Sequence, residues 1–394
     1  MTRIPLDVSL FCAIGAVMAI GIFLHLLLNC LLRRRVVAGA RAIDERIAVL
    51  IPMRNEEAHA AAVLADVLAQ EGAANMNVWV CDDHSGDNTW AIISAVAAAD
   101  NRVRVFQAAD LPLGWLGKPW ACQQLRQAVR DADAERDDSA TCATDVLIFI
   151  DADVRLAPNA VSAAVSTMKR HQLAFLSPFP KQIYRGWLPT MFQPLLQWAI
   201  LSMLPLRLME RSARTAYDRE LAAGNGQFLA IDAVAYDAAR GHESVRSEVV
   251  EDVMLARSIK LAGGRVSITP APQIATCEMY PDAPSLIEGY TKSLWRAFGG
   301  RFGAVAVAAL FLMQFIMPWV GMFTAPPSSL LWWLCIGGVL AGLFGRVVAA
   351  LVCHERPWLA ITHPLSILVF VWLVAESLRR KANGQLQWKG RALV

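Results

Sequence analysis

Val146-Leu147-Ile148-Phe149-Ile150-Asp151-Ala152-Asp153-Val154 carries a five-residue apolar run straight into two carboxylates separated by one residue. A continuous run of that length and composition suits a strand buried on both faces. Two carboxylates at the end of such a strand are costly to bury unless something positive neutralises them. A hard divalent ion, Mg²⁺ or Mn²⁺, prefers oxygen ligands and phosphate company and would serve. The plainer alternative is a pair of strand-end caps.

Outward from this stretch the chain alternates strands and helices. Ile47–Ile51, Asn77–Cys81 and Val103–Gln107 read as further strands. Glu56–Gln70, Asn88–Ala99 and Lys118–Asp131 read as helices, and the polar stretch Arg130–Asp145 as a surface loop. The alternation predicts an α/β domain whose mostly parallel sheet carries helices on both faces. Ligands of such sheets bind at the carboxyl ends of the strands. Asp82 and Asp83 fall at one of those ends, in Cys81-Asp82-Asp83-His84-Ser85, and Pro52-Met53-Arg54-Asn55-Glu56-Glu57 follows another. The first can accept hydrogen bonds from a base or a ribose, or be a capped turn. The second can hold a nucleotide with its backbone and Glu56 or Glu57, or be an ordinary helix start capped by Asn55. Glu251-Asp252 opens a predicted helix to Leu261. A carboxylate there is favoured by the helix dipole and also suits a general base.

Taken in order, the motifs IPMRNEE, CDDHS, GWLGKPWA, DADV, GNGQFLAI and GHESVRSEVVEDVMLARSIKLAGGRV resemble the family 2 glycosyltransferases. The nearest resemblance is to bacterial membrane-bound members associated with carotenoid glycosylation and hopanoid clusters. It spans Ala48–Arg296 and adds a QWKGRAL ending. It implies a nucleotide-sugar-binding mixed sheet of GT-A type, a divalent metal (Mg²⁺ or Mn²⁺), a UDP-sugar donor and inversion at the anomeric carbon. By position, Asp83 resembles the nucleoside-binding aspartate, with Pro52, Arg54 and Glu56 beside the donor. Asp151 resembles the ribose or diphosphate-side residue, Asp153 the metal ligand, and Lys118 a donor-side lysine. Asp252 resembles the catalytic base, with Glu251 next to it. Gly224, Asn225, Gly226 and Gln227 resemble the loop bordering the acceptor. Processive relatives carry Gln-x-x-Arg-Trp after the base. Here Trp295-Arg296 reverses that pair, which favours single transfer and leaves these two as acceptor-side or interface-anchoring residues.

The 394-residue chain is 56% hydrophobic, above the roughly 45–50% of soluble domains. Leu6–Leu32, Phe302–Met322, Leu330–Cys353 and Trp358–Leu378 are long enough to span a bilayer. The first lacks the short core and small-residue cleavage site of a signal peptide. Arg33-Arg34-Arg35 after it predicts a cytoplasmic domain. Three crossings after residue 300 conflict with the basic residues Arg379, Arg380, Lys381, Lys389 and Arg391 of the tail, so either one run is re-entrant or interfacial or the positive-inside rule fails locally. The run interrupted by Arg346 is the suspect. Trp187–Met209, broken by three prolines, reads as interfacial helices or a buried hairpin. The expected organisation is an anchor with a basic linker (1–45), a cytosolic transferase domain (46–300, interfacial at 182–215), membrane or interfacial helices (301–380) and a basic tail (381–394).

None of the eight cysteines forms a CxxC pair, which fits a reducing compartment and no zinc site. A net charge of +3 argues against nucleic acid. The expected partners are a nucleotide-sugar donor, a lipid acceptor with a hydroxyl or carboxyl group (carotenoid, hopanoid or polyprenoid), and the plasma membrane. A processive polysaccharide synthase and a non-catalytic membrane scaffold are the rival readings.

Overall fold

The computed structural model describes residues 6–36, 39, 42–135, 143–211, 213, 215–388 and 391–392. The chain divides into two compact units. The sheet unit comprises Arg33–Ile183 and Pro205–Met279, and the helical unit Met1–Leu32, Tyr184–Leu204 and Tyr280–Val394. Parts of the basic linker (37–38 and 40–41) and of the tail (389–390 and 393–394) lie outside the described residues.

Ten strands build the sheet unit: β1 (Ile47–Met53), β2 (Met76–Asp82), β3 (Val103–Gln107), β4 (Val146–Ile150), β5 (Val154–Leu156), β6 (Phe175–Phe179), β7 (Lys181–Gln182), β8 (Phe228–Asp232), β9 (Val266–Pro270) and β10 (Ala275–Cys277). Seven form one sheet in the order β3-β2-β1-β4-β8-β6-β9, and β5-β10-β7 form a small second sheet. β1, β2, β3 and β4 are parallel, as the alternating pattern predicts. β8 runs antiparallel to both β4 and β6, so the sheet is mixed rather than mostly parallel. Every side chain of β4, β6 and β9 is buried. This is why β4 (Val-Leu-Ile-Phe-Ile) reads as an unbroken apolar run rather than as an alternating one, whereas β6 and β9 bury a serine or threonine among their apolar residues.

Two expected boundaries move. The first helix of this unit is Ala60–Leu68, not Glu56–Gln70. Asn55 sits at φ 51°, and its side-chain oxygen accepts the Gly86 N–H (2.8 Å) in the neighbouring loop instead of capping its own helix. The helix predicted over Lys118–Asp131 extends over Gly117–Glu135, into the stretch expected to be a loop. The rest of that stretch, 136–142, lies outside the described residues. One of the three arginines after the first apolar helix is also committed. The buried carboxylate of Glu210 takes a two-pronged contact from Arg34 (Nε 3.0 Å, Nη2 2.7 Å) and another from Arg207.

In the helical unit, four stretches are long and apolar enough to cross a membrane: Val8–Leu32, Arg301–Thr324, Leu330–Val352 and Pro357–Ala382. Their cross-contacts fix their directions. Cys12 meets Cys335, Ala16 meets Gly338 and Phe23 meets Gly345, so the first helix (Leu6–Leu32) and the Arg346 helix (Leu330–Val352) run the same way. Glycine at 338 permits this, since a Cβ there would sit 2.7 Å from the Ala16 backbone. Gly15 faces Met313 while Cys12 faces Gly321, so the stretch Arg301–Thr324 runs the opposite way.

The last helix, His363–Ala382, is antiparallel to that stretch, with His363 on Phe315 and Phe370 on Phe311. It therefore runs in the same direction as the Arg346 helix that precedes it. His363 is level with Gly342, ten residues or about 15 Å short of the end of the Arg346 helix. The 3₁₀ turn Pro357–Thr362 makes the climb back, at about 2 Å per residue. Within this unit the segment that doubles back is thus the one after Val352. The Arg346 run, suspected from its charge, is a full-length helix whose arginine is buried against its neighbours. The last helix ends toward the Leu32 end of this unit, which places its Arg379, Arg380 and Lys381 there and removes the conflict with the positive-inside rule. Gly39→Cys and Gln385→Cys should therefore respond alike to an impermeant thiol reagent in intact and lysed cells. Opposite responses would mean that the last helix crosses the bilayer.

Candidate active site

The register of the parallel strands gathers the acidic residues. Met53 at the end of β1 is level with Asp82 at the end of β2, and Leu50 with Phe149 of β4. Arg54, Asp82, Asp83 and Asp151 therefore emerge side by side. The loops after β1 and β2 are locked together. Arg54 Nη1 donates to the carbonyls of Asp83 (2.5 Å) and His84 (3.2 Å). The Asn55 N–H donates to Ser85 Oγ (2.9 Å) and the Glu56 N–H to Thr89 Oγ1 (2.8 Å). Arg54 thus shapes the loop pair. Asp83 is buried, and Asp82 beside it is wholly so. One oxygen of Asp82 accepts the Ser85 N–H (3.3 Å) while the other has no hydrogen-bond partner.

The antiparallel strand completes the site. Phe228 of β8 pairs with Ile150 of β4, so the residues just before β8, Gly224-Asn225-Gly226-Gln227, arrive where β4 ends. The Asp151 N–H donates to the Gln227 carbonyl (3.1 Å), and the Gln227 N–H donates to Asn225 Oδ1 (3.0 Å). The Gly226 N–H donates to Asp252 Oδ2 (2.7 Å), while Asp252 Oδ1 accepts the Val253 N–H (2.8 Å). A Cβ at Gly226 would come 3.3 Å from Lys118 Nζ and 3.4 Å from Asp252 Oδ2, which is why this position suits a residue without a side chain.

Lys118, at the start of its helix, reaches between two carboxylates. Its Nζ lies 2.6 Å from Asp151 Oδ1 and 3.2 Å from Glu251 Oε1. Burial works against its charge, but Asp151 and Glu251 outweigh it and hold the ammonium well above its ordinary pKa. Asp252 is pushed up to about 6, chiefly by burial and then by the charge of Glu251. Asp153 is raised for the same first reason, reinforced by Asp151 and Glu56.

A relay that no motif announces supports Asp153. Gln182 Nε2 donates to Gln227 Oε1 (2.9 Å), Gln227 Nε2 contacts Cys277 Sγ (3.0 Å), and the Cys277 thiol hydrogen-bonds to Asp153. The small sheet aligns these groups, pairing Cys277 with both Val154 and Gln182. His242 was also missed. It lines the cleft with Pro52, Lys118, Asp151, Gly226 and Asp252. Burial lowers its pKa to about 3, so it is a neutral imidazole hydrogen-bonded to Tyr236 (2.7 Å). A roomier cavity of about 290 Å³ opens at the amino ends of β1 and β2, among Arg46, Asn75 and Arg102. That is the opposite end of the strands from the one where ligands of such sheets bind.

Among the described residues no three His, Cys, Asp or Glu side chains converge as a metal cage. Asp153 nonetheless keeps one buried oxygen without a partner, beside Asp151. One or two carboxylates, completed by water and phosphate oxygens, are the usual protein share of a Mg²⁺-type site. The residues present fit such an ion. Trp295 and Arg296 belong to the helical unit, on the helix Ala283–Ala297. There the Trp295 N–H donates to Ser377 Oγ (3.0 Å) and Lys381 lies over the indole ring (4.5 Å).

A mixed sheet with acidic residues and a lysine at the carboxyl ends of its strands is a GT-A glycosyltransferase fold. The family model "Glycosyltransferase like family 2" matches residues 45–299, and the chain belongs to that family. It is similar in structure to a mannosyltransferase from Pyrobaculum calidifontis, solved with GDP-Man and Mn²⁺. The identity is 15% and the TM-score 0.54, over 95% of this chain and 99% of that one. S. aureus TarS 1-349, solved with UDP-GlcNAc, aligns at 15% identity and TM-score 0.40, over 85% of this chain and 92% of that one. No curated protein matches by sequence.

Replacing Lys118 by Met should leave Asp151 and Glu251 facing each other without a cation. The variant should melt below the parent at pH 8. Equal melting temperatures would show that the lysine is not the neutralising group.

Proposed function

We propose that the chain transfers a sugar, with inversion, from a nucleotide-sugar donor to a hydroxyl or carboxyl group of a membrane lipid. The observation that carries this reading is Asp252. It is a buried carboxylate pinned by two backbone N–H groups, in a cleft shared with Lys118 and Asp151. Family membership supports the reaction class. The four apolar stretches support a lipid acceptor and a membrane location, with carotenoid, hopanoid or other polyprenoid compounds as the candidates. Arg33–Arg35 support a cytoplasmic active site at the plasma membrane. The proposal keeps the expected transferase domain 46–300 and the helices and tail that follow it.

The roles follow from charge and position. Asp83, with the loops shaped by Pro52, Arg54 and Glu56, receives the nucleoside. Asp151 and Asp153 would hold a divalent ion, which supplies charge neutralisation for the leaving diphosphate. Mn²⁺ in the Pyrobaculum mannosyltransferase supports that choice. Lys118 sits where it can also face the diphosphate. Asp252 accepts the acceptor's proton while the acceptor oxygen attacks the anomeric carbon from the face opposite the diphosphate. The bond from that carbon to the diphosphate oxygen breaks, and its electron pair leaves with the diphosphate. Gly224–Gln227 border the acceptor. Glu251 and the neutral His242 keep the surroundings of the base polar without placing a second cation there.

General-base catalysis is worth about 10²–10⁴-fold. Asp252→Asn should lose at least about two orders of magnitude in transfer rate and keep its affinity for the nucleoside diphosphate. Because Asp252 must be ionised to act, the parent's rate should fall below a pH of about 6. Normal turnover in the amide variant, with only a lowered melting temperature, would reduce Asp252 to a helix-start residue. Comparing lipid extracts by mass spectrometry, with and without the gene, identifies the acceptor. Absence of any glycolipid difference would overturn the lipid reading.

A further inference from the structure

His242 lines the carboxylate cleft, and its hydrogen bonds say more than that it is neutral. The Tyr236 oxygen accepts the backbone N–H of His242 (3.1 Å) and lies 2.7 Å from His242 Nδ1. Both residues are 2% exposed. A phenol has one proton to give. Were Nδ1 to carry a hydrogen, two donors would point at the phenol oxygen. The phenol's own proton would then be buried without an acceptor, which is costly. With the phenol donating to Nδ1, every group is satisfied. A neutral imidazole whose Nδ1 accepts holds its proton on Nε2. Burial and the Lys118 ammonium both oppose a second proton on the ring.

The edge of the ring away from Tyr236 carries Nε2, and it is the edge left to face the cleft shared with Lys118, Asp151, Gly226, Glu251 and Asp252. Among the described residues no hydrogen bond reaches Nε2. Unlike both ring nitrogens of His363, it is not sealed off. Phe149 and Tyr236 pack on the ring, with centroids 5.0 and 5.7 Å away, so the donor is held in one place.

The cleft decides what this N–H meets. Three carboxylates line it, and its one ammonium is already bracketed by Asp151 and Glu251. A phosphate oxygen only accepts, and near His242 it would also face Glu251 and Asp252. A hydroxyl both accepts and donates. It can take the Nε2 hydrogen and give its own to a carboxylate. The reacting hydroxyl of an acceptor is a poorer match, because a donor on its oxygen competes for the electron pair that attacks.

We infer that His242 is a specificity-determining residue, whose Nε2–H donates to a hydroxyl oxygen of the sugar carried by the donor. The inference rests on the nucleotide-sugar reading of the site. A donor fixed in this way favours sugars with a hydroxyl at that position over those without one.

The test uses the full chain in detergent with nitrogen-15-labelled histidine. UDP-glucose, UDP-N-acetylglucosamine and GDP-mannose are the probes, and the tightest binder is carried forward. The His242 signals, assigned by their absence from His242→Phe, should show a protonated Nε2 and an unprotonated Nδ1. The nucleotide-sugar should move the Nε2 signal, and the matching nucleoside diphosphate should move it much less. His242→Phe should weaken the nucleotide-sugar roughly three- to tenfold and leave nucleoside diphosphate affinity unchanged. If that variant does not fold, the pair His242→Phe with Tyr236→Phe, which leaves no phenol unpartnered, takes its place. A proton on Nδ1 would overturn the inference. So would equal loss of both ligands, which marks a structural histidine, or unchanged nucleotide-sugar affinity in a folded variant. A parent that binds none of the three probes would overturn the donor reading itself and this inference with it.

Discussion

The arrangement at the carboxyl ends of β1, β2 and β4 rests on one cation. Asp151 and Glu251 are drawn to within hydrogen-bonding distance of the same lysine nitrogen, while Asp153 and Asp252 are buried close by. Like charges at such separations in a low-dielectric cleft repel strongly. Lys118 places a positive charge between two of the carboxylates, and the backbone N–H groups of Gly226 and Val253 hydrogen-bond to Asp252. The Gly226 contact depends on β8 running against the rest of the sheet, because only that direction delivers Gly226 to the end of β4.

Much of this was legible in the sequence. The apolar run before Asp151 fixes β4 and its carboxylates, and the helix beginning at Glu251 ends at Leu261 as its pattern implies. Local chemistry was enough there, because burial on both faces and a helix start leave direct marks in composition. What could not be read locally is what depends on distant pairing. No pattern in residues 224–227 says that they abut Asp151, since β8 joins β4 across more than seventy residues of chain. Gln182 and Cys277 sit in stretches without any motif and acquire their places only through the small sheet, and His242, though it lies in the quoted GHES run, acquires its place only through packing on Phe149. Between Asp82 and Asp83, a dipeptide alone does not tell which carboxylate ends up fully enclosed. Arg54 read as a ligand-facing cation, yet its guanidinium also ties two loops together through backbone carbonyls.

The helical unit shows the opposite error. Charge in an apolar run drew suspicion to the segment around Arg346, but that helix is regular and full-length. The irregular element is the segment after it, whose composition reads as an ordinary span. Hydropathy counts residues and cannot see where a helix begins along the depth of a bundle. That is set by the short turn Pro357–Thr362 and by the aromatic contacts of His363 with Trp198 and Phe315.

The strand order also has a bearing on biogenesis. β9, the last strand of the main sheet, ends at Pro270, and β10, which carries Cys277, follows within a few residues. The nascent chain therefore cannot assemble the carboxylate cleft until nearly all of the sheet unit has been synthesised. By then Leu6–Leu32 and residues 184–204 of the helical unit have already emerged, and the remaining apolar stretches begin about twenty residues later. Long-range pairing of this kind folds slowly and leaves strand edges open meanwhile. The last apolar stretches therefore leave the ribosome directly behind a sheet unit whose closing strands have only just emerged.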